Sequence, residues 1–153
     1  MSAAERHRRA GRGAALFVVA IAMAFVAASC ADFEAPPSPD QTLPDVVVAE
    51  PTLARDVQPI FTARCATSSC HTAVTHQAGM VLEAPQTYAS IVNQRSTLQP
   101  ALWRVRPGFP DSSMVALAIG PNPPMVRMPL GRPPLTDNQI QTIRNWIARG
   151  APQ

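Results

Sequence analysis

Two thiols and an imidazole close one short stretch of this chain, Cys65-Ala66-Thr67-Ser68-Ser69-Cys70-His71, and no other feature constrains the fold as strongly. Cysteines at i and i+3 would share a helical face, but at i and i+5 they do not, so the segment is expected to be a bulged loop. Thr67, Ser68 and Ser69 are small polar residues that suit such a turn. The endpoints are those of a covalent haem-attachment site, whose usual spacing is C-x-x-C-H. In that chemistry two thiols add across the porphyrin vinyl groups and the His reaches the iron from one face. Because the distance between the vinyls is fixed, the two extra residues must loop outward. A disulfide between Cys65 and Cys70 is the alternative chemistry for the same pair. Zinc is less suited, because it needs a fourth nitrogen or sulfur ligand and only His76 stands nearby.

The beginning of the chain reads as an export signal. Arg6, Arg8, Arg9 and Arg12 form a positive region, and residues 14–28 then run without a charge through Leu16, Phe17, Val18, Val19, Ile21, Met23, Phe25 and Val26. This run is shorter than the roughly 20 apolar residues of an ordinary membrane span, and an uncleaved anchor is the alternative. Ala27-Ala28-Ser29 before Cys30 resembles the lipobox of bacterial lipoproteins, in which the Cys becomes the acylated first residue, although that family most often has Leu at the place of Ala27. Ordinary cleavage nearby, leaving Cys30 a free thiol, is the other reading. With no Phe-Leu pair close behind Arg8-Arg9, general secretion is expected rather than twin-arginine export. The thiol count then closes, with Cys30 for lipid and Cys65 and Cys70 for haem.

Residues 1–29 contain four Arg and one Glu, which is the whole net charge of +3. In the remainder the charges are segregated. Residues 30–50 hold Asp32, Glu34, Asp40, Asp45 and Glu50 with no Arg, whereas residues 51–153 hold nine Arg against Asp56, Glu83, Asp111 and Asp137. Such a surplus would balance haem propionates and steer the domain toward an acidic redox partner; a merely solvated surface is the alternative. Nucleic acid is not the expected partner, since the chain has no basic run and carries an export signal.

Three regions follow: a signal peptide over residues 1–29, an acidic, Pro-rich tether over 30–50 and a folded domain over 51–153. Pro36, Pro37, Pro39 and Pro44 make the tether extended, and Val46, Val47 and Val48 suit a short segment lying against the domain. The first helix is expected from Asp56 as cap, with Pro59 in its first turn and Val57, Ile60, Phe61 and Arg64 on one face. A second is expected over residues 85–93 with Tyr88, Ile91 and Val92 inward. A third follows the turn at residues 107–111, capped by Asp111 or Ser112, with Met114, Val115, Leu117 and Ala118 buried. The last begins at the capping box Thr136-Asp137-Asn138-Gln139, buries Ile140, Ile143, Trp146 and Ile147, and ends at Gly150. No stretch alternates at period two for long, so the fold class is all-α, about four short helices with long Pro-rich loops.

Residues 119–135 are loop by composition yet carry Met125 and Met128 among the prolines. A stiff loop suits a thioether that must hold iron opposite His71; a Met packed in the core is the ordinary alternative. Taken in order, Asp56-Val57-Gln58-Pro59-Ile60-Phe61, the thiols, Thr87-Tyr88-Ala89, residues 106–113, Arg127-Met128-Pro129 and the capped Trp146 helix resemble a class I-type cytochrome c domain over roughly residues 53–151. The variety common in lipoproteins of soil bacteria and planctomycetes is the nearest in pattern, and some of its members have C-x4-C-H. The resemblance implies one covalently attached haem c, with Cys65 and Cys70 as thioether attachments, His71 as proximal ligand and Met128 as distal ligand. Met125 is the runner-up for the sixth position and His76 stands behind it. Trp146 would pack near the haem or the first helix, and Arg127 and Arg132 would meet propionates. The implied protein is a monohaem electron carrier rather than an enzyme, lipid-anchored on the periplasmic side of the cell envelope and serving redox partner proteins. It would accept electrons from a dehydrogenase or quinol-oxidising complex. A haem-free lipoprotein binding domain stapled by a disulfide is the alternative, and peroxide reduction would require an open iron position.

Overall fold

The computed structural model describes Leu43 and residues 45–153. The expected signal peptide, Cys30 and most of the tether lie outside the described residues. Within Pro37–Gln153, a single compact unit, the described part is helical, with no strands and only isolated bridges between extended residues.

A wide helical turn over Leu53–Val57 leads directly into helix α1, Gln58–Arg64. The helical run starts upstream of the expected Asp56 cap. Thr52 takes that place: its side chain accepts from the Arg55 N–H, and its own N–H donates to Asp56 Oδ2 at 2.7 Å. Asp56 therefore sits inside the turn and reaches back, which satisfies donors at the helix start that the sequence pattern assigned to Asp56 as cap. Pro59 lies in the first turn of α1, and Val57, Ile60, Phe61 and Arg64 are buried as expected.

Helix α2 spans only Thr87–Ile91, against the expected residues 85–93. Its end is set from a distance. The Val105 N–H donates to Ile91 O and the Asn93 N–H to Val105 O, both at 3.0 Å, so Val92 leaves in extended conformation to pair with Val105. Helix α3, Met114–Ile119, buries Val115, Ala116, Ala118 and Ile119, while Met114 and Leu117 are half-buried. Ser113 occupies the cap position but turns its hydroxyl away from the helix, donating to Phe109 O at 2.9 Å and accepting from the Arg106 N–H at 2.8 Å.

Helix α4, Asp137–Ala148, carries the capping box in full: Thr136 Oγ1 accepts from the Gln139 N–H and Gln139 Oε1 from the Thr136 N–H. Its inward residues Ile143, Trp146 and Ile147 are fully buried, with Ile140 packed at the edge of the core. The Trp146 ring meets Phe61 of α1 edge-on, with centroids 6.4 Å apart, a geometry in which positive ring edge faces negative ring face. The Trp146 indole N–H donates to Pro152 O at 2.8 Å, and the same carbonyl accepts from the Leu53 N–H at 2.9 Å, closing the two ends of the domain on each other. Residues 45–50 lie along α4. The Val48 N–H donates to Thr142 Oγ1, Asn145 Nδ2 donates to Val48 O, Asn138 Nδ2 donates to Asp45 O, and Arg149 pairs with Glu50.

Candidate functional site

The 65–71 segment leaves the C-terminal end of α1 as a loop closed at its base. The Cys65 N–H still donates to Phe61 O, the Cys70 N–H donates to Thr67 O at 2.8 Å, and the His71 N–H returns to Cys65 O at 3.1 Å. The five-position spacing is thus accommodated as a bulge whose ends are held together. The turn beyond it is tied in by Thr75 Oγ1 and the Gln77 N–H, both donating to Cys70 O. Both thiols are free, not joined to each other.

Cys65 is buried at the edge of the hydrophobic core, whereas Cys70 is half-buried. Burial pushes the Cys65 thiol up to about 12; Arg64 pulls it down, Cys70 pushes it further up, and Arg132 pulls it down. The Arg132 guanidinium of the 121–135 loop is therefore felt at Cys65. A thiol held protonated in this way is a poor nucleophile in the folded domain.

His71 is 7 % exposed, and burial lowers its pKa, with smaller opposing contributions from hydrogen bonds to the backbone at Met80 and Gln77. Its Nδ1 lies 3.3 Å from Met80 O. A carbonyl only accepts, so in this contact Nδ1 is the donor, the kind of bond that orients a metal-ligating imidazole. The Met80 carbonyl is fixed in turn by a 3₁₀ turn over Gln77–Gly79 and by the Leu82 N–H, which donates to His71 O at 2.8 Å.

The two candidate methionines part company in the fold. Met128 packs against the core and its N–H donates to Ala118 O at the end of α3 at 2.9 Å, whereas Met125 is 40 % exposed on the loop. His76 is exposed in a turn with φ of +24°. Arg127 and Arg132 are exposed, and Trp146 packs on α1 through Phe61. A cavity beside residues 43–48, lined by Val46, Val48, Pro59, Ile60 and Thr142 among others, includes none of the candidate site residues.

The donors present fit a haem held by two thioethers and one imidazole. The thiols are unbridged, and the buried imidazole has its pKa lowered by burial and its Nδ1 bonded to a backbone carbonyl. Among the described residues no three His, Cys, Asp or Glu side chains gather into a metal-binding cluster. Zinc needs such convergence, whereas haem attachment needs two thiols spread to separate carbons. Sequence reasoning placed Arg64 only as a member of the α1 face. The structure shows its guanidinium bonded to the loop that carries Met128, and the available signal was an Arg on an otherwise apolar stripe beside a candidate Cys. No family model, no curated protein and no solved structure matches the chain.

Proposed function

We propose that the protein is a monohaem c-type cytochrome acting in electron transfer, held to a membrane on the periplasmic side through Cys30. Haem, when bound, supplies a one-electron couple at iron. Cys65 and Cys70 would hold it through thioether bonds, with His71 Nε2 and the Met128 thioether as the iron ligands. Hydrogen bonding to the Met80 carbonyl fixes the imidazole ring and raises its basicity, while the core around Cys65 excludes water. A His and Met pair favours a higher reduction potential than two imidazoles would.

The observation that carries this reading is the buried His71 with Nδ1 committed to a backbone carbonyl, directly after two unbridged thiols on a closed bulge. Burial holds Cys65 protonated in the folded domain, so attachment would be easier on the unfolded chain. The test is to mature the exported chain with haem-attachment machinery, extract it with acid acetone and record the reduced spectrum in alkaline pyridine. Covalently retained haem is expected, and its absence would overturn the reading.

A further inference from the structure

The loop that carries Met128 has little means of holding its own shape. Among residues 121–135 are Pro121, Pro123, Pro124, Pro129, Pro133 and Pro134, none of which has a backbone N–H to donate. Among the described residues its backbone N–H groups make two hydrogen bonds to backbone, Met128 N–H to Ala118 O at 2.9 Å and a long one from Arg132 to Pro129 O at 3.4 Å. Its position must come from side chains elsewhere. One such side chain is evident: Arg64, at the last position of α1 and 8 % exposed, donates from Nη2 to Pro133 O at 2.8 Å and to Pro134 O at 3.1 Å.

We infer that Arg64 is the positioning residue for the sixth iron ligand, an inference that rests on the haem reading above. Its backbone leads directly into Cys65, so the same residue joins the attachment segment to the far end of the Met128 loop. Besides the packing of Met128 and Leu135 in the core, the loop is then hydrogen-bonded at two points, the Met128 N–H on α3 and the Pro133 and Pro134 carbonyls on Arg64. Both bonds leave the one nitrogen Nη2, whose two N–H groups serve one carbonyl each, at the full reach of the Arg side chain. A weak thioether ligand depends on being held near the iron rather than on its own affinity, so releasing one suspension point should free it.

The test uses the full-length chain matured with haem, comparing wild type, Arg64→Gln and Arg64→Lys, with Arg144→Gln as control; among the described residues Arg144 pairs with exposed Asp111 at the surface. Two readouts are taken: the thioether-to-iron charge-transfer band, and tryptic cleavage at Arg127–Met128 relative to cleavage after the exposed Arg95. Trypsin does not cut the Arg132–Pro133 bond, so cleavage within the loop reports at Arg127. The expected result for Arg64→Gln is retained covalent haem, loss of the band and loop cleavage faster by at least about ten-fold, the scale of losing a charged hydrogen bond. Arg64→Lys should fall between, and Arg144→Gln should match wild type. Wild-type band and cleavage rate in Arg64→Gln would overturn the inference. Should wild type carry no haem, the proposed function fails, and the cleavage comparison alone still decides whether Arg64 holds the loop.

Discussion

Burial of Cys65 makes the stability of the haem-free domain sensitive to alkali, in a way that haem attachment should abolish. The thiol's ordinary value is 9.0 and the folded domain raises it to about 12. Between those values the folded state keeps a proton that the unfolded chain has released, so stability is complete below pH 9 and falls as pH rises toward 12. At about pH 10.5 the unfolded thiol is favoured by its ionisation to the extent of about 2 kcal/mol, while the folded thiol is still protonated. For a domain with a urea m value of about 1–2 kcal/mol per molar, that is a midpoint shift of about 1–2 M.

The assay is urea unfolding of residues 37–153 without haem, at neutral pH and at about pH 10.5, for wild type and Cys65→Ala. In Cys65→Ala the alkaline loss should shrink by the calculated amount. Matured protein should show the same flattening, because a thioether sulfur does not titrate. An identical pH dependence in wild type and Cys65→Ala would refute the reasoning, since it would mean that the thiol meets water in the folded domain.

Replacing Met128 with Leu should abolish the thioether-to-iron charge-transfer band in matured protein, while Met125→Leu leaves it; the reverse result would transfer the distal ligand to Met125. Thr136→Ala removes the α4 cap and the 2.6 Å bond to Asp45 and should cost about 1 kcal/mol by urea midpoint, with Thr136→Ser close to wild type. An unchanged Thr136→Ala midpoint would contradict that role. Asp56 is pushed up by burial, but bonds from Arg55 and the Thr52 N–H outweigh this and hold its carboxyl below the usual range. The stability it contributes is present above that range and lost as pH falls through the lowered value. Asp56→Asn should therefore destabilise the domain at neutral pH and make the acid side of its stability profile shallower, and parallel profiles would dismiss the effect.

Helix α4 was legible because its signals are local: the cap, the third-position Gln and the apolar spacing all lie within its own residues. The buried face of α3 was not, because Met-Val-Ala-Leu-Ala-Ile contains no polar residue to set the phase of the helix. Only contact with the rest of the core chose Val115, Ala116, Ala118 and Ile119 over Met114 and Leu117. The shortening of α2 comes from Val105, fourteen residues beyond Ile91, and no window around α2 contains it. In the candidate site, the bulge was readable, since spacing alone forbids Cys65 and Cys70 a shared helical face. The partner of His71 is a backbone carbonyl, which every residue has, so composition singles out none of them.

An electron carrier works best when its ligands hardly move between two oxidation states, and in the proposed carrier the restraints on His71 would serve that end. His71 is fixed at Nδ1 by Met80 O, at its carbonyl by Leu82 and at its N–H by Cys65, so ring and backbone are both held. The incoming segment at residues 45–50 is fastened to α4, and the C-terminal Pro152 is fastened to Leu53 and Trp146. Tension along a membrane tether would load α4 first, through Asp45, Val48 and Glu50. The backbone runs on from Glu50 through the Leu53–Val57 turn and α1 to the 65–71 bulge, so the fastenings to α4 come before the site along the chain. In the proposed carrier, motion of the anchor would be taken up before it reached the iron ligands, and the Met128 loop is held from α3 and Arg64.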